Sequence, residues 1–360
     1  MAALTDRRYG GPLACTGTHM KPSKTFFTSI AAILVAFCGA GAQADVLLVG
    51  NKSGHTLWAL DLETGEKRAS FETGLGPHEV EVSPDRRFAV VSNYGERDAP
   101  GNSLTVVDWP AGKVARVMDL GGDTRPHGMA FLPDGRLAVT TEGSDHLLVV
   151  DVGQGAVLQR IRVGEGVAHM VAVSHGGRLA WVTNISAGTL EKVDLEAGAV
   201  VGTVATGAGA EGVAVARDEQ EVWVTNRADD TVSVVDADSL EILATLDSVG
   251  FPIRVAVTPD QRWALVTNAV AATLSVFDVA ERSLAATVEL AEPDVEYRET
   301  LLGRAALPIG IVIHPDGSQA FVAVSGGDEV AVIDTAAWEI RSRWQTGREP
   351  DALGVILAGD

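Results

Sequence analysis

Cysteine and aromatic residues are scarce in this chain. Its 360 residues include two cysteines, Cys15 and Cys38, and only 5% of the residues are Phe, Trp or Tyr. Beyond residue 38, therefore, no disulfide and no cysteine-ligated metal centre can form. Few aromatic side chains also argue against a surface that stacks nucleic-acid bases or sugars.

Basic residues are in short supply as well. The chain has 28 Lys and Arg against 48 Asp and Glu, which gives a formal net charge of −20 at pH 7. An acidic surface repels nucleic acids and anionic membranes, because both are bound through basic patches. We therefore expect no nucleic-acid partner, and a surface that serves solubility or attracts cations or a basic protein.

A long apolar run occurs only near the start of the chain. The run Phe26–Phe37 follows two lysines, Lys21 and Lys24, and precedes the small-residue motif that ends at Ala44. This order is typical of a secretory signal peptide, and the run is too short for a stable membrane-spanning helix. We expect cleavage after Ala44, a periplasmic location and no membrane insertion.

The predicted signal peptide defines three regions of the chain. Residues 20–44 are the signal peptide, residues 1–19 are interpreted as an upstream extension, and residues 45–360 form the folded unit. Removing four basic residues and one acidic residue changes the formal charge from −20 to −23. The folded unit then has no thiol, which suits an oxidising compartment.

A strand pattern that ends in aspartate recurs seven times after residue 45. These aspartates are Asp61, Asp108, Asp151, Asp194, Asp236, Asp278 and Asp334, separated by 47, 43, 43, 42, 42 and 56 residues. A period near 40 residues, made of apolar strands and Gly, Pro, Asn and Asp turns, predicts an all-β, seven-bladed β-propeller with four antiparallel strands per blade. The recurring aspartate is interpreted as a turn residue, because seven copies around a ring cannot all be catalytic.

The two ends of the repeat region complement each other. The folded unit starts with an outgoing strand, Val46–Gly50, and Ala352–Leu357 matches the inner strands of other repeats. We expect these two segments to pair within one blade, which closes the ring and removes an open sheet edge. A closed ring of this kind is expected to be a monomer.

Several short motifs are similar to a known repeat family. The segments "WVTN", "TVSVVD" and "PDG" recur between residues 45 and 357, and together they resemble the YVTN-type β-propeller repeat family. The resemblance implies the propeller fold. More distant propellers of this kind include lactonases, amine dehydrogenase subunits and the heme domain of a nitrite reductase, so the fold alone does not give the function.

Three inner strands begin with histidine, and a fourth begins with glutamate. Neutral imidazole nitrogens and a carboxylate suit a divalent transition-metal ion, or polar contacts to a flat cofactor. The alternative is a structural role, in which each histidine bonds to neighbouring backbone. The corresponding positions of the remaining repeats are Arg254 or Ile253, Ile309 or Gly310, and Ala352. The candidate metal ligands are His78, His127, His169 and Glu211.

The strand directions place further polar residues on the same face of the ring. The chain descends along an inner strand and returns along the next, so strand-end asparagines lie beside the histidine positions. Two segments longer than the repeat requires, 93–103 and 289–310, connect strands on this face, where binding loops usually lie. We predict ligand or partner binding at this face by Asn93, Tyr94, Asn184, Asn226, Arg254, Asn268, Tyr297 and Arg298.

No catalytic motif accompanies these residues. The chain has no G-x-S-x-G or H-E-x-x-H motif, and the G-x-G-x-x-G match at 207–212 lies between strands without a following helix. The sequence therefore favours a non-enzymatic binding or scaffold protein for a small ligand or a protein partner. One alternative is a lactonase-like, metal-assisted hydrolase in which Glu211 or His127 accepts a proton and Arg254 stabilises the oxyanion. Another is an accessory partner of a periplasmic quinone- or heme-dependent dehydrogenase.

Overall fold

Seven four-stranded antiparallel sheets make up the part of the chain that the computed structural model describes, residues 45–300 and 302–358. The seven-bladed β-propeller predicted from the repeat is thereby confirmed. The predicted extension and signal peptide, residues 1–44, and the cleavage site after Ala44 lie outside the described residues.

The first four blades are numbered in chain order. Blade 1 contains β1 (Val46–Asn51), β2 (Thr56–Asp61), β3 (Lys67–Glu72) and the C-terminal β30 (Pro350–Ile356). Blade 2 contains β4 (Pro77–Val82), β5 (Phe88–Gly95), β6 (Pro100–Asp108) and β7 (Lys113–Asp119). Blade 3 contains β8 (Pro126–Phe131), β9 (Leu137–Thr141), β10 (His146–Asp151) and β11 (Ala156–Arg162). Blade 4 contains β12 (Ala168–Val173), β13 (Leu179–Asn184), β14 (Thr189–Asp194) and β15 (Ala199–Ala205).

The other three blades follow the same plan. Blade 5 contains β16 (Ala210–Ala216), β17 (Glu221–Asn226), β18 (Thr231–Asp236) and β19 (Ile242–Asp247). Blade 6 contains β20 (Pro252–Val257), β21 (Trp263–Asn268), β22 (Thr273–Asp278) and β23 (Ser283–Glu289). Blade 7 contains β26 (Pro308–Ile313), β27 (Gln319–Val324), β28 (Glu329–Asp334) and β29 (Glu339–Gln345). A small hairpin, β24 (Glu299–Thr300) with β25 (Gly303–Arg304), and two short 3₁₀ turns, Lys52–Gly54 and Ser325–Gly327, complete the elements.

The ring closes as its two ends predict. Strand β30 pairs antiparallel with β1, and Val46 lies opposite Ile356 while Val49 lies opposite Leu353. The closing strand begins at Pro350, two residues before the predicted start. Both strands thus have a partner on the side that would otherwise be an exposed edge.

The recurring aspartates form turns, as interpreted from their number. In each case the side-chain Oδ1 accepts a backbone N–H from two or three residues further along, and Asp194, for example, accepts from Glu196 at 3.0 Å and Ala197 at 2.9 Å. Such side-chain acceptors stabilise tight turns. The other six make the same contact: Asp61, Asp108, Asp151, Asp236, Asp278 and Asp334.

Apolar side chains pack between neighbouring blades. Trp223 of blade 5 is fully buried against Val266 and Phe277 of blade 6, and Trp181 of blade 4 is buried against Val213 of blade 5. Burial on both faces explains why the middle strands read as nearly continuous apolar runs. Trp181 and Trp223 are therefore core residues, whereas Trp263 is only partly buried. In the described part of the chain, no helix has the length and apolar character needed to span a bilayer.

Candidate functional site

One residue in each blade occupies the same position at the mouth of the central channel. The first residue of each inner strand pairs with the end of the adjacent strand, as Pro77 does with Asn93 and Pro350 with Asn51. The second residue of each inner strand then faces the channel mouth, and we call its place the rim position. Going around the ring, the rim positions are His78, His127, His169, Glu211, Ile253, Ile309 and Asp351.

The pairing of the inner strands identifies the rim residues of blades 6 and 7, for which the sequence left two candidates each. Ile253 and Ile309 occupy the rim positions of blades 6 and 7. In blade 1 the rim residue is Asp351 and not Ala352, which corrects the prediction by one residue. The error arises because each inner strand is irregular just after its first residue, so matching the later apolar residues does not fix the register at the rim.

A hydroxyl side chain on the neighbouring blade holds the backbone at several rim positions. Thr183 donates to the carbonyl of Glu211 at 2.5 Å, and Thr225 donates to that of Ile253 at 2.9 Å. Thr140 and Thr267 make the same bond to His169 and Ile309. The threonine of the recurrent "VTN" segment therefore links adjacent blades and fixes where each rim side chain starts.

The three rim histidines form a continuous row. The ring centroids of His78 and His127 are 4.2 Å apart, and those of His127 and His169 are 3.8 Å apart. His127, in the middle, is 1% exposed. The sequence could not show whether these histidines converge, and the structure brings their rings into contact.

His169, at one end of the row, lies between two carboxylates. Its Nδ1 is 2.6 Å from Glu142 Oε1, and its Nε2 is 3.3 Å from Glu211 Oε1. Burial opposes a charge on the ring, but the carboxylates of Glu211 and Glu142 outweigh it and raise the pKa of His169. The two carboxylates therefore favour the positively charged form of His169.

His78, at the other end, belongs to a second charged group. Its Nδ1 is 2.9 Å from Asp351 Oδ2, and its Nε2 is 3.2 Å from Lys52 Nζ. Lys52 Nζ is also 3.0 Å from Asp351 Oδ2. Although burial opposes ionisation, the nearby charges of His78 and Lys52 lower the pKa of Asp351 far below its ordinary value. Asp351 is thus an ionised carboxylate in the blade-closing strand.

His127 has no comparable partner. Its Nδ1 is buried without a hydrogen bond, and the nearest carboxylate oxygen, Glu79 Oε1, is 3.9 Å away. Burial, assisted by the positive charges of His169 and His78, lowers the pKa of His127 well below its ordinary value. The middle ring is therefore neutral, with a nitrogen available to accept.

Two arginines complete the cluster from the opposite side of the ring. Arg254 reaches across the channel mouth from blade 6 to Glu79 of blade 2, with Nη2 2.5 Å from Oε1, and its Nη1 is 3.5 Å from Glu211. Arg227 Nη1 lies 2.6 Å from the second oxygen of Glu211. These cations, together with His169, overcome the effect of burial and lower the pKa of Glu211 to about 2.

Unsatisfied polar atoms are concentrated in this cluster. Six buried atoms have no hydrogen bond of good geometry: Nδ1 of His78, Nδ1 of His127, Nε2 of His169, Nε of Arg254 and both carboxylate oxygens of Asp351. Nδ1 of His78, Nε2 of His169 and Oδ2 of Asp351 still lie in the ion pairs described above, which leaves Nδ1 of His127, Nε of Arg254 and Oδ1 of Asp351 without a close partner. Buried polar atoms without a partner are rare in folded proteins, and each costs about 1–3 kcal/mol. Their clustering indicates a place where a further polar or ionic group binds.

Two sets of side chains have the spacing of metal ligands. One donor atom from each of His78, Glu79 and His127 lies within 4.8 Å of the others, and the same is true of His127, Glu142 and His169. His127 is common to both sets. The predicted fourth ligand, Glu211, belongs to neither set, because Arg227 and Arg254 hold it on the far side of His169.

The predicted asparagines lie inside the blades and not on the binding face. Asn226 Nδ2, for example, donates to Thr231 Oγ1 at 3.1 Å and Ser233 Oγ at 2.9 Å. Being at most 1% exposed, the group cannot reach a ligand and instead joins neighbouring strands. The residues concerned are Asn93, Asn184, Asn226 and Asn268.

The remaining predicted residues divide into two groups. Tyr94 is part of the site, since its ring packs edge-on against His78 and its hydroxyl donates to Glu142. Tyr297 and Arg298 instead anchor the long connection before blade 7. The Tyr297 hydroxyl accepts from the backbone of Glu292, and Arg298 pairs with Asp328 at 3.2 Å.

Five charged residues of the cluster were missed by the site prediction: Lys52, Glu79, Glu142, Arg227 and Asp351. Asp351 has a signal in the sequence, because it follows Pro350 as His78 follows Pro77. Glu79 follows a rim histidine directly, and an alternation rule would have directed it away from the mouth. The strand irregularity at this point lets both neighbours contribute.

Two cavities open at the rim and share Lys52, His78 and Tyr94. The larger, about 660 Å³, is bounded by the turn after β1, by the long segment 93–103 of blade 2, here called the blade 2 insertion, and by the segment before β30. The smaller, about 310 Å³, has His169, Glu211 and Arg254 on one side and an aliphatic wall on the other. The aliphatic residues are Val167, Ile185, Ile253, Leu302 and Ile309.

Comparison with known proteins identifies one family. The sequence model described as "Cytochrome D1 heme domain" matches residues 132–355, more than half of the chain. No curated protein sequence matches. Among solved structures, hydrazine synthase from Kuenenia stuttgartiensis is similar with a TM-score of 0.69 and 18% identity, covering 81% of this chain and 92% of that one. A functionally unknown protein from Desulfotomaculum acetoxidans has a TM-score of 0.71 and 13% identity, covering 87% and 99%. At these identities, the structural similarities establish the fold alone.

Proposed function

The chain belongs to the cytochrome D1 heme domain family, and on that premise we propose that it is an exported propeller that binds a divalent transition-metal ion at its rim. The observation that carries the proposal is the buried, unpartnered Nδ1 of His127 between two further imidazoles. The YVTN-type repeats that its motifs resemble imply the same fold. Export rests on the signal-like segment that ends at Ala44.

A heme is the cofactor that the family name implies, and the residues present do not fit it. The larger cavity has no aliphatic side chain in its lining, whereas a macrocycle needs apolar walls. The smaller cavity has such a wall but only about 310 Å³. His127, the rim histidine whose Nδ1 has no hydrogen-bond partner, lines neither cavity and so cannot reach a macrocycle bound in one of them.

A single ion fits the same residues better. Imidazole nitrogen and carboxylate oxygen are the donors that Zn²⁺ and related ions take, and the ion needs only a small displacement of side chains already within 4.8 Å. We favour the set of His78, His127 and Glu79, because Asp351 lies directly beside His78 and offers a fourth donor, a carboxylate oxygen 2.9 Å from its Nδ1. His169 and Glu142 then act as neighbours that hold the row in place.

The charges at the rim favour binding over catalysis. Glu211, with a pKa of about 2 and two arginine partners, is a weak proton acceptor, and Arg254 already has carboxylates on two of its nitrogens. Both residues are therefore unsuited to the roles that the hydrolase alternative gives them, and His127, the other candidate acceptor, is a weak base because burial lowers its pKa well below the ordinary value. The proposed ion would serve as a structural or recognition element at the face where a ligand or partner docks.

The test is metal analysis of protein purified from the periplasm without an affinity tag. We expect about one equivalent of a transition metal by elemental analysis, and tight binding of Co²⁺ or Zn²⁺ by the chelator-treated protein in calorimetry. His127→Ala should weaken that binding at least 100-fold. His175→Ala, which removes an exposed histidine outside the cluster, is the matched control and should bind as the wild type does.

Two results would overturn the proposal. One is a metal-free protein whose Co²⁺ and Zn²⁺ affinities are the same in the wild type and in His127→Ala. The other is a porphyrin absorption band in the purified protein that disappears in His78→Ala or His169→Ala, which would establish heme at this rim. Circular dichroism of each variant shows whether the propeller is intact.

A further inference from the structure

The larger rim cavity is enclosed by three chain segments and has His78 and Tyr94 among its lining residues. Its walls come from the turn after β1, from the blade 2 insertion and from the residues just before β30. A volume of about 660 Å³ lies within the range of pockets for small organic ligands, roughly 300–1,000 Å³. A lone inorganic ion would leave most of this space unfilled.

The walls of the cavity carry four cations on a protein that is otherwise acidic. They are Lys52, Arg97, Arg125 and Arg348. Two have other functions: Lys52 pairs with Asp351, and Arg125 donates to the carbonyls of Glu96 and Arg97 and lies over the Tyr94 ring. Among the described residues, the guanidinium groups of Arg97 and Arg348 have no carboxylate within 4.0 Å. Their charge is thus available to a bound molecule.

The carboxylates of the cavity do not cancel this charge. Glu96 lies 3.5 Å from His55, and Glu349 accepts a hydrogen bond from Ser53, so both already have partners. Asp98 is the third acid in the lining. These contacts do not remove the negative charges of Glu96 and Glu349, so the lining carries four positive charges against three negative ones, and the guanidinium groups of Arg97 and Arg348 remain without a carboxylate partner.

The wall formed by the blade 2 insertion is held in a fixed conformation. Gly95 donates to the Leu75 carbonyl at 2.8 Å, and Arg125 donates from its backbone to Gly101 at 2.7 Å. Gly95 has a φ of +92°, and a Cβ at Gly101 would lie 1.9 Å from the Asn93 carbonyl oxygen, so both positions require glycine. The cavity is therefore built before a ligand arrives, which lowers the entropic cost of binding.

We propose that this cavity binds a small organic anion with two or more carboxylates, which Arg97 and Arg348 hold from different walls. Each planar guanidinium can make two parallel hydrogen bonds to one carboxylate. Lys52 and His78 lie against the bound molecule at the inner side of the cavity. The inference goes beyond the proposed ion site, with which it shares His78, and it does not require the ion.

The experiment is calorimetry on the full protein after chelator treatment, with defined probes. Succinate and tricarballylate are the test anions, succinamide is the uncharged counterpart of succinate, and inorganic phosphate tests for general anion binding. We expect the carboxylates to bind and succinamide not to bind. The double variant Arg97→Ala/Arg348→Ala should lose at least 10-fold in affinity for both carboxylates.

The control keeps the same change in net charge. Arg87→Ala/Arg116→Ala removes two arginines that line neither rim cavity, and it should bind the carboxylates as the wild type does. Absence of binding by both carboxylates would overturn the proposal, as would equal affinities in the two double variants or stronger binding of phosphate than of tricarballylate. Because chelated protein is used, the outcome is independent of the ion. Thermal unfolding of each variant confirms that its fold is retained.

Discussion

His127 stacks on His169 with 3.8 Å between the ring centroids, although the two imidazoles have opposite electrostatic surroundings. His169 has a carboxylate near each nitrogen, whereas the Nδ1 of His127 has no hydrogen-bond partner. A neutral imidazole and a charged imidazolium can lie in contact, because only one ring of the pair carries a positive charge. This pairing organises the row at the channel mouth.

In metal-free protein, the contributions of His127 and His169 to stability should depend on pH in opposite directions. The raised pKa of His169 means that its contribution to stability is complete below pH 6.5 and is lost as the pH rises through the folded-state value. The lowered pKa of His127 means that its contribution is present above pH 6.5 and is lost as the pH falls. In urea unfolding, His169→Gln should therefore destabilise most at pH 5, by about 1–3 kcal/mol, and His127→Gln most at pH 8.

Imidazole NMR titrations give an independent check of this prediction. We expect the His169 signals to change above pH 6.5 and the His127 signals to remain those of a neutral ring down to acidic pH. Two histidines that both titrate near 6.5 would contradict the arrangement of charges described at the rim.

The sequence could predict the ring and the face of the site, but not the partners within it. Seven regular repeats and strand direction were enough to place His78, His127 and His169 on one rim. Contacts such as Arg254 with Glu79 join side chains that are 175 positions apart, and they depend on rotamers and on ring closure. The strand-end asparagines show the same limit, because a repeat period gives the height of a side chain in the blade but not the direction in which it points.

Replacing one of these asparagines should reduce stability and leave the site intact. Asn226→Ala removes the donor that bonds to Thr231 and Ser233 in the blade interior. We expect the free energy of unfolding to fall by about 1–3 kcal/mol, because buried hydroxyls lose a partner. Metal affinity should match the wild type. Gln154→Ala, in an exposed turn, should change stability by less than about 0.5 kcal/mol. Loss of metal binding in Asn226→Ala would show that this asparagine belongs to the binding site.

Glu81 should make the propeller less stable in alkaline solution. The inner strand of each blade has one residue at the position equivalent to Glu81. In the other six blades this residue is uncharged: Ala130, Ala172, Ala214, Ala256, Val312 and Gly354. Burial, with the nearby charge of Glu79, raises the pKa of Glu81 from 4.5 to about 8. The folded state keeps the proton that the unfolded chain releases, so stability falls as the pH rises between these two values.

The corresponding variant is Glu81→Gln, which keeps the shape and removes the charge. At pH 9 we expect it to raise the free energy of unfolding by about 2 kcal/mol, and near pH 4.5 to change it little. Chemical denaturation of chelated protein at both pH values measures the difference. The control is Glu63→Gln in an exposed turn, whose effect should not depend on pH. A Glu81→Gln protein that is no more stable than the wild type at pH 9 would exclude a neutral carboxyl at this position.

Removing the closing strand should convert the closed ring, which we expect to be a monomer, into an aggregating protein. A chain that ends at Glu349 lacks β30. Strand β1 (Val46–Asn51) then has no partner on that side, and blade 1 loses Asp351 from the rim. An unpaired strand with an apolar face is a template for pairing with other molecules. Light scattering after size-exclusion chromatography should show large assemblies for this truncation and a monomer for a control chain that ends at Leu357. A synthetic peptide covering residues 349–357 should restore the monomer by adding the missing strand. A truncated chain that stays monomeric without the peptide would show that the ring does not depend on pairing of β1 with β30.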